Sequence, residues 1–193
     1  MCGVIGLVYE NMVAELGHTA AELLKTLEYR GYDSTGAAIQ GTSADEITLL
    51  KGVGAPSVMC ESLGITKLSG KLFCGQVRWA TFGAVTDANS QPHLVRCKQH
   101  LYGAHNGNVT NCDALKEWLT NTGHQVLSDN DGEMVVHTIE HFFDRQLQRL
   151  ATDQRLSPAH RYQAMQQAIS AASGKLEGSF AAVIVDPITE CMW

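Results

Sequence analysis

The chain opens with Met1-Cys2-Gly3-Val4-Ile5-Gly6-Leu7-Val8-Tyr9, and this stretch indicates how the fold begins. From Gly3 to Tyr9 the residues are almost all apolar or glycine. A short, continuous apolar run without helical periodicity is typical of a strand that is buried on both faces. We therefore expect a central strand that starts directly after Cys2.

Cys2 is a candidate nucleophile because of its position. Removal of Met1 would leave a thiol and a free α-amine on one residue. An α-amine has a pKa of about 7.7 to 8.0 and a free thiol about 8.5, so near neutral pH the amine can take the thiol proton, directly or through a water. Two alternatives stay open. In the first, Cys2 is a small buried side chain without a chemical role. In the second, Met1 stays attached, so the Cys2 nitrogen is a non-basic amide and the module is catalytically silent.

Extended and helical segments alternate after the first strand. Apolar residues between Val13 and Leu27 recur at helical spacing. Ser157-Pro158 predicts a helix start, and Gly174 predicts its end. The buried stripe of that helix is predicted to contain Tyr162, Met165, Ile169 and Ala172. Further strands are predicted over 35–39, 47–50, 72–79, 100–105 and 180–185, and further helices over 114–120 and 131–143. Strands and helices that come in pairs favour an α+β layered sandwich over a doubly wound fold.

Composition limits the class of protein. A chain of 193 residues with 45% hydrophobic and 18% charged residues fits one domain. Its net charge of -6 argues against nucleic acid or an anionic membrane as a partner. No run approaches the roughly 18 apolar residues of a membrane span, and no secretory signal is evident, so we expect a cytoplasmic protein. Its cysteines are then predicted to be reduced thiols. They are Cys2, Cys60, Cys74, Cys97, Cys112 and Cys191.

Five motifs follow one another along the chain. They are Cys2-Gly3-Val4-Ile5-Gly6, Leu27-Glu28-Tyr29-Arg30-Gly31-Tyr32-Asp33-Ser34, Val77-Arg78-Trp79-Ala80-Thr81, His105-Asn106-Gly107 and Asn130-Asp131-Gly132-Glu133. In this order and at these separations they resemble the class II glutamine amidotransferases. The second motif is similar to that of the glucosamine-6-phosphate synthases.

This resemblance implies a four-layer αββα sandwich of the N-terminal nucleophile hydrolase type. It also implies hydrolysis of L-glutamine to L-glutamate and ammonia, with no metal or organic cofactor. The ammonia would pass to synthase domains of the full-length protein. In the synthases those sugar-isomerase domains follow, and the glutaminase domain itself continues beyond this point. We therefore expect a fragment whose unpaired sheet edge favours association, for example as a homodimer.

Asn106-Gly107 follows an apolar strand and has two interpretations. Asn-Gly is a strong turn dipeptide, so a tight turn is one of them. The other is an oxyanion hole, with the Asn106 amide and the Gly107 N–H directed at the oxygen that gains charge when Cys2 attacks. Loss of one such donor typically costs about 100- to 1000-fold in rate.

Arg78 and Asp131 form a candidate clamp for a free amino acid. Arg78 would bind the α-carboxylate with its planar guanidinium, and Asp131 would accept from the α-ammonium. Two alternatives remain: an internal salt bridge for Arg78, and a helix cap for Asp131.

The resemblance supplies roles for four more residues. Arg30 is expected beside the nucleophile, where it supports the N-terminus. Trp79 and Thr81 are expected to line the glutamine pocket, although Trp79 could equally be core. His93 is expected in a loop that covers the site, with a merely solvated histidine as the alternative. Phe82 stands where the synthases usually have histidine, which predicts an altered pocket polarity.

A second motif, His137-Thr138-Ile139-Glu140-His141, matches the inverted zincin pattern His-x-x-Glu-His. Its histidines lie one helical turn apart, on one face of the predicted helix. A third metal ligand has no obvious source in the sequence. We therefore expect a solvated helix face and no metal site, with a zinc peptidase as the alternative.

Overall fold

The structure is a computed structural model that describes residues 2–81, 83–151 and 156–193. Met1 and Phe82 lie outside the described residues. The predicted removal of Met1 and the predicted effect of Phe82 on pocket polarity therefore also lie outside them.

The described residues form eight strands and five α-helices. The strands are β1 (Gly3–Val13), β2 (Ser34–Gln40), β3 (Ile47–Val53), β4 (Gly70–Arg78), β5 (His93–Val95), β6 (Leu101–Val109), β7 (Gly178–Asp186) and β8 (Cys191–Met192). The helices are α1 (Leu16–Thr26), α2 (Pro56–Ser62), α3 (Cys112–Asn121), α4 (Asp131–Leu150) and α5 (Pro158–Ser173), with 3₁₀ turns at Glu28–Arg30 and Ile65–Lys67.

The first sheet has the strand order β1-β4-β2-β3, with antiparallel pairing throughout. Side chains alternate between its two faces. Ile5 of β1 and Phe73 of β4 belong to a core shared with Leu16 and Leu24 of α1. The first sheet is therefore covered on its outer face by α1 and α2.

The second sheet has the order β5-β6-β7-β8, again antiparallel. Its outer face packs on α4, with α3 and α5 completing the layer. Met134 and Phe143 of α4 are fully buried in this core.

A third core lies between the two sheets. It joins Leu72 and Cys74 of the first sheet to Tyr102 and Ala104 of the second. The Tyr102 hydroxyl donates to Gln40 Oε1 at 3.1 Å, so this buried polar group is paired across the sheets. Helix, sheet, sheet and helix layers thus stack in order, which confirms the four-layer αββα sandwich.

Several elements differ from the sequence prediction. Helix α2 and strands β5 and β8 were not predicted, because each is too short to show a period. In helix α5, Met165 and Ala172 are buried as predicted and Ile169 packs against the core, but Tyr162 is 37% exposed and Arg161 is buried in its place. Arg161 donates from Nε and Nη2 to both carboxylate oxygens of Asp186 at 2.8 Å, and this paired charge takes the inward position.

The six cysteines form no disulfide. Within the described residues, no helix combines the length and the apolar character that a bilayer crossing requires.

Candidate active site

Cys2 lies where one end of the sandwich opens between the two sheets. In β1, Ile5 packs toward α1 and Val4 faces the second sheet. Because side chains alternate along an extended chain, Cys2 shares the inward face of Val4. It lines a cleft of about 460 Å³. The other described residues of this lining are Trp79, Thr81, Asn106, Gly107, Asn108 and Ser179.

Contacts from two neighbouring segments hold Cys2 in place. The backbone N–H of Trp79 donates to Cys2 Sγ at 3.4 Å, and the Trp79 carbonyl oxygen lies 3.5 Å from the same sulfur. Arg30 Nε donates to the Cys2 carbonyl oxygen at 3.0 Å. Cys2 is 9% exposed. Its sulfur is therefore sheltered but open to the cleft, and Arg30 lies beside it.

Asn106 and Gly107 lie inside β6, paired with Ala181 and Phe180 of β7. The tight-turn interpretation is therefore wrong, because the strand continues to Val109. Asn106 is two residues beyond Ala104 and so faces the space between the sheets, where it meets the cleft.

Gly107 has a backbone conformation that requires glycine. Its φ is +145°, outside the range that side chains tolerate. A Cβ at this position would overlap the carbonyl oxygen of Ser179 and the Cα of Phe180. The close approach of β7 brings Ser179 into the lining of the same cleft.

Arg78 ends β4 on the inward face, next to the start of β1. It is 2% exposed, and its Nη1 and Nη2 donate to the carbonyl oxygens of Ala84 and Gly83 at 3.0 and 3.2 Å. Burial lowers the pKa of the guanidinium, while the charges of Cys2 and Asp131 oppose that shift. Arg78 thus lies beside the cleft and contacts the 83–84 segment.

Asp131 is the first residue of α4 and is buried. Its Oδ2 accepts from the backbone N–H of Val109 at 3.0 Å and lies 3.1 Å from His105 Nε2. Burial raises the pKa of Asp131, but His105 and the Val109 N–H outweigh it, so the pKa is lowered overall. Asn130, not Asp131, caps the helix, since its side chain accepts from Gly132 N at 2.9 Å. The helix-cap interpretation of Asp131 is therefore wrong.

Two of the remaining candidates line the cleft and one does not. Thr81 is exposed, and Trp79 is 44% exposed with its ring centroid 5.4 Å from that of Tyr32, so Trp79 is not a core residue. His93 begins β5 and is 4% exposed, which contradicts both the covering loop and the solvated histidine. Its Nε2 lies 3.2 Å from Asn130 Oδ1, and burial together with Lys51 lowers its pKa to about 3. His93 is therefore neutral and supports the residue that caps α4.

Sequence reasoning missed Asn108 and Ser179 in the cleft lining. Asn108 carries a usable signal, because it is two residues from Asn106 and shares its face of the strand. Ser179 has no local signal, since only the pairing of β7 with β6 brings it there.

The His-x-x-Glu-His motif on α4 is not a solvated helix face. His137, Glu140 and His141 are 1%, 0% and 8% exposed. Helix α4 packs against the second sheet, α3 and α5, so much of its circumference is covered. The motif therefore lies in the outer helix layer, across the second sheet from the cleft.

Comparisons with known proteins concern the family of the whole chain. Residues 77–193 match the family model of the glutamine amidotransferase domain. A glutamine–fructose-6-phosphate aminotransferase (isomerizing) from Sulfurisphaera tokodaii is 36% identical over 185 residues, which cover 96% of this chain and 28% of the relative. The protein of the same description from Thermotoga maritima is 38% identical over 149 residues, 76% of this chain and 23% of the relative. The chain therefore spans less than a third of the length of these curated relatives.

Solved structures show the same fold. The glutamine phosphoribosylpyrophosphate amidotransferase of B. subtilis, solved with ADP and GMP, aligns with a TM-score of 0.69 and 24% identity over 97% of this chain and 35% of its own. A structure described as the allosteric regulatory enzyme of purine biosynthesis aligns with a TM-score of 0.70 and 25% identity, over 96% of this chain and 35% of its own. The family model covers more than half of the chain, and the sandwich is shared with these two solved structures. The chain belongs to the glutamine amidotransferase domain family.

Proposed function

We propose that this domain hydrolyses L-glutamine to L-glutamate and ammonia through a γ-glutamyl thioester on Cys2. The observation that carries the proposal is the shared cleft of Cys2, Asn106 and Gly107. A sheltered thiol that faces an amide donor and a glycine backbone across open space has the components of acyl transfer.

The reaction begins with the α-amine of Cys2, once Met1 has been removed. The amine takes the thiol proton, and the thiolate attacks the side-chain amide carbon of glutamine. Asn106 and Gly107 stabilise the resulting oxyanion. The carbon–nitrogen bond then breaks as the ammonium returns the proton to the departing nitrogen, and ammonia leaves. Water then attacks the thioester carbon and gives one proton to the amine. The carbon–sulfur bond breaks, glutamate leaves, and the ammonium returns the proton to the sulfur and so restores the thiol.

Substrate binding uses Thr81 and Trp79 at the cleft, with Arg78 and Asp131 behind it. In the described structure Arg78 donates to the carbonyls of Gly83 and Ala84. It can bind the α-carboxylate if the substrate takes over one or both of these acceptor positions. Asp131 remains ionised, which suits an acceptor for the α-ammonium. His93 contributes indirectly, through Asn130 at the start of α4.

The use of the ammonia is also part of the proposal. The relatives are named glutamine–fructose-6-phosphate aminotransferase. This name and the resemblance of the Tyr29–Ser34 segment to the glucosamine-6-phosphate synthases support a sugar phosphate as the acceptor in a longer protein. The cytoplasm suits a nucleophilic thiol, and the absence of disulfides among the six cysteines supports that location. We also propose that the chain associates as a homodimer, because an unpaired sheet edge favours pairing with a second copy.

The test is glutamate release from glutamine by the wild-type protein and by Cys2→Ala. We expect the variant to lose at least about 10⁴-fold in rate, because no other group can form the thioester. Cys191→Ala, on β8 and outside the cleft, controls for loss of a thiol and should keep wild-type activity. Unchanged release by Cys2→Ala would refute the mechanism. Glutamine binding without release by a wild type that retains Met1 would instead favour the silent module.

A further inference from the structure

Four side chains from separate parts of the chain converge in the outer helix layer. They are Cys97 after β5, His124 before α4, and His137 and Glu140 on α4. One potential ligand atom from each lies within 4.8 Å of the other three. We propose that this cluster, the Cys97 cluster, is a structural zinc site. The sequence motif supplied only two of its ligands, and the fold adds His124 and Cys97.

The distances suit a small ion. His124 Nδ1 and His137 Nδ1 lie 3.0 and 2.9 Å from the same atom, Glu140 Oε2. Tetrahedral nitrogen and oxygen ligands at about 2.0 to 2.1 Å from zinc are roughly 3.3 Å apart. An ion at the centre therefore requires these two contacts to lengthen by a few tenths of an ångström. The Cys97 thiolate, within 4.8 Å of the other ligand atoms, would be the fourth ligand.

The opposite side of each ligand already has a protein partner. The backbone N–H groups of Lys98 and Gln99 donate to Glu140 Oε1 at 2.7 and 3.1 Å. The remaining partners are Gln125 N, 3.2 Å from Cys97 Sγ; His141 Nδ1, 3.1 Å from His124 Nε2; and Glu133 Oε1, 3.6 Å from His137 Nε2. Contacts of this kind behind the ligands, here three hydrogen-bonded sets and one ion pair at 3.6 Å, fix the orientation of metal ligands and the tautomer of ligating histidines.

The charges of the cluster also favour a divalent cation. Glu140 is fully buried, and contacts from His124, His137 and two backbone N–H groups surround both of its carboxylate oxygens. A carboxylate taken out of water in this way is stabilised by a cation at the same place. One carboxylate and one thiolate balance the two charges of the ion. A mixed sulfur, nitrogen and oxygen set of four suits zinc, and binding would release the thiol proton and any imidazole proton.

Four protein ligands leave no open coordination position, which distinguishes this site from a peptidase centre. Cys97 is exposed and, together with Glu133 and His137, lines a cavity of about 260 Å³ that gives an ion access from solvent. Zinc would join the segment after β5, the segment before α4 and α4 itself. We therefore expect it to stabilise the fold without taking part in chemistry at Cys2.

The test is a zinc titration of metal-free protein against a chromogenic chelator, with thermal unfolding measured with and without zinc. We expect about one zinc per chain and a higher unfolding midpoint when it is bound. Cys97→Ser and His137→Gln should each weaken binding by at least about 100-fold, more than loss of an outer-shell group. Cys191→Ser and the exposed His18→Gln are the matched controls and should bind zinc like the wild type.

A second readout uses the wild type alone, in case a variant does not fold. Cobalt added to metal-free protein should give the visible bands of a tetrahedral site and a thiolate charge-transfer band. Equal zinc affinity in all four variants would overturn the proposal, as would a wild type that fails to compete with the chelator or a cobalt spectrum of octahedral type. In that case protons, not a metal ion, hold the cluster together. Neither outcome depends on glutaminase activity.

Discussion

The cleft at Cys2 and the Cys97 cluster both gather polar groups around the second sheet, but they differ in how those groups are bonded. In the cleft, Thr81 and Asn106 face open space. In the cluster, Glu140 accepts bonds on both carboxylate oxygens and is fully buried. Polar groups that face a cavity can exchange water for a substrate that comes and goes. Polar groups that converge with their outer sides already bonded suit an ion that stays.

The two regions also depend differently on the backbone. The cleft is built where strands end and where β7 crowds β6, so one glycine conformation decides whether the strands can approach. The cluster depends on α4 and on two further segments, one after β5 and one before α4. Single side chains therefore matter there more than one backbone angle.

The largest effect is expected from Gly107→Ala. The new Cβ would overlap backbone atoms of Ser179 and Phe180 in a conformation with positive φ. We expect at least about 3 kcal/mol of lost stability and no detectable glutaminase activity, measured by denaturant unfolding and glutamate release. Gly64→Ala is the matched control: its φ is +75° with no atom near the added Cβ, so it should cost only about 1 to 2 kcal/mol and leave activity intact. Equal costs at both positions would show that crowding by β7 is not what requires glycine.

Asn106→Ala tests the cleft without disturbing its backbone. We expect kcat to fall about 100- to 1000-fold, with a smaller change in KM, because the lost donor acts mainly on the oxyanion. The unfolding free energy should stay near that of the wild type. Asn108→Ala removes an amide from the same lining and should lower kcat by less than about 10-fold. A larger loss from Asn108→Ala would move the oxyanion donor to that residue.

The smallest effect is expected in the pH dependence of stability in metal-free protein. The folded-state pKa of Glu140 is lowered from 4.5 to about 2, so its contribution is present above pH 4.5 and is lost as the pH falls toward 2. Glu140→Gln removes this dependence, and the slope of stability against pH should decrease by up to about 1.4 kcal/mol per pH unit in that window. Glu117→Gln, on α3, controls for the loss of one negative charge. An unchanged slope in Glu140→Gln would contradict the buried, bonded carboxylate.

The sequence predicted the cleft better than the cluster, for a physical reason. Cys2 and Arg78 lie in short motifs at strand ends and Asn106 lies within β6. The alternation of side chains along β1, β4 and β6 directs all three into the space between the two sheets. The resemblance to the amidotransferases then supplied the layer order, which the periodicity of the sequence leaves open.

The cluster could not be predicted because burial of α4 is a tertiary effect. Its histidines were expected to be solvated, and the ligands His124 and Cys97 lie in segments without a regular period. His93 shows the same limit, since a three-residue strand buries it where a loop was expected. A predicted helix face does not reveal how many neighbours will cover it.

The central claim is that a free N-terminal Cys2 is the nucleophile. The most direct test is the mass of the N-terminal peptide after the active protein reacts with a diazoketone analogue of glutamine. We predict one analogue on Cys2, no Met1 on the labelled peptide, and protection by excess glutamine. Labelling of another residue, or an active protein that still carries Met1, would contradict the account.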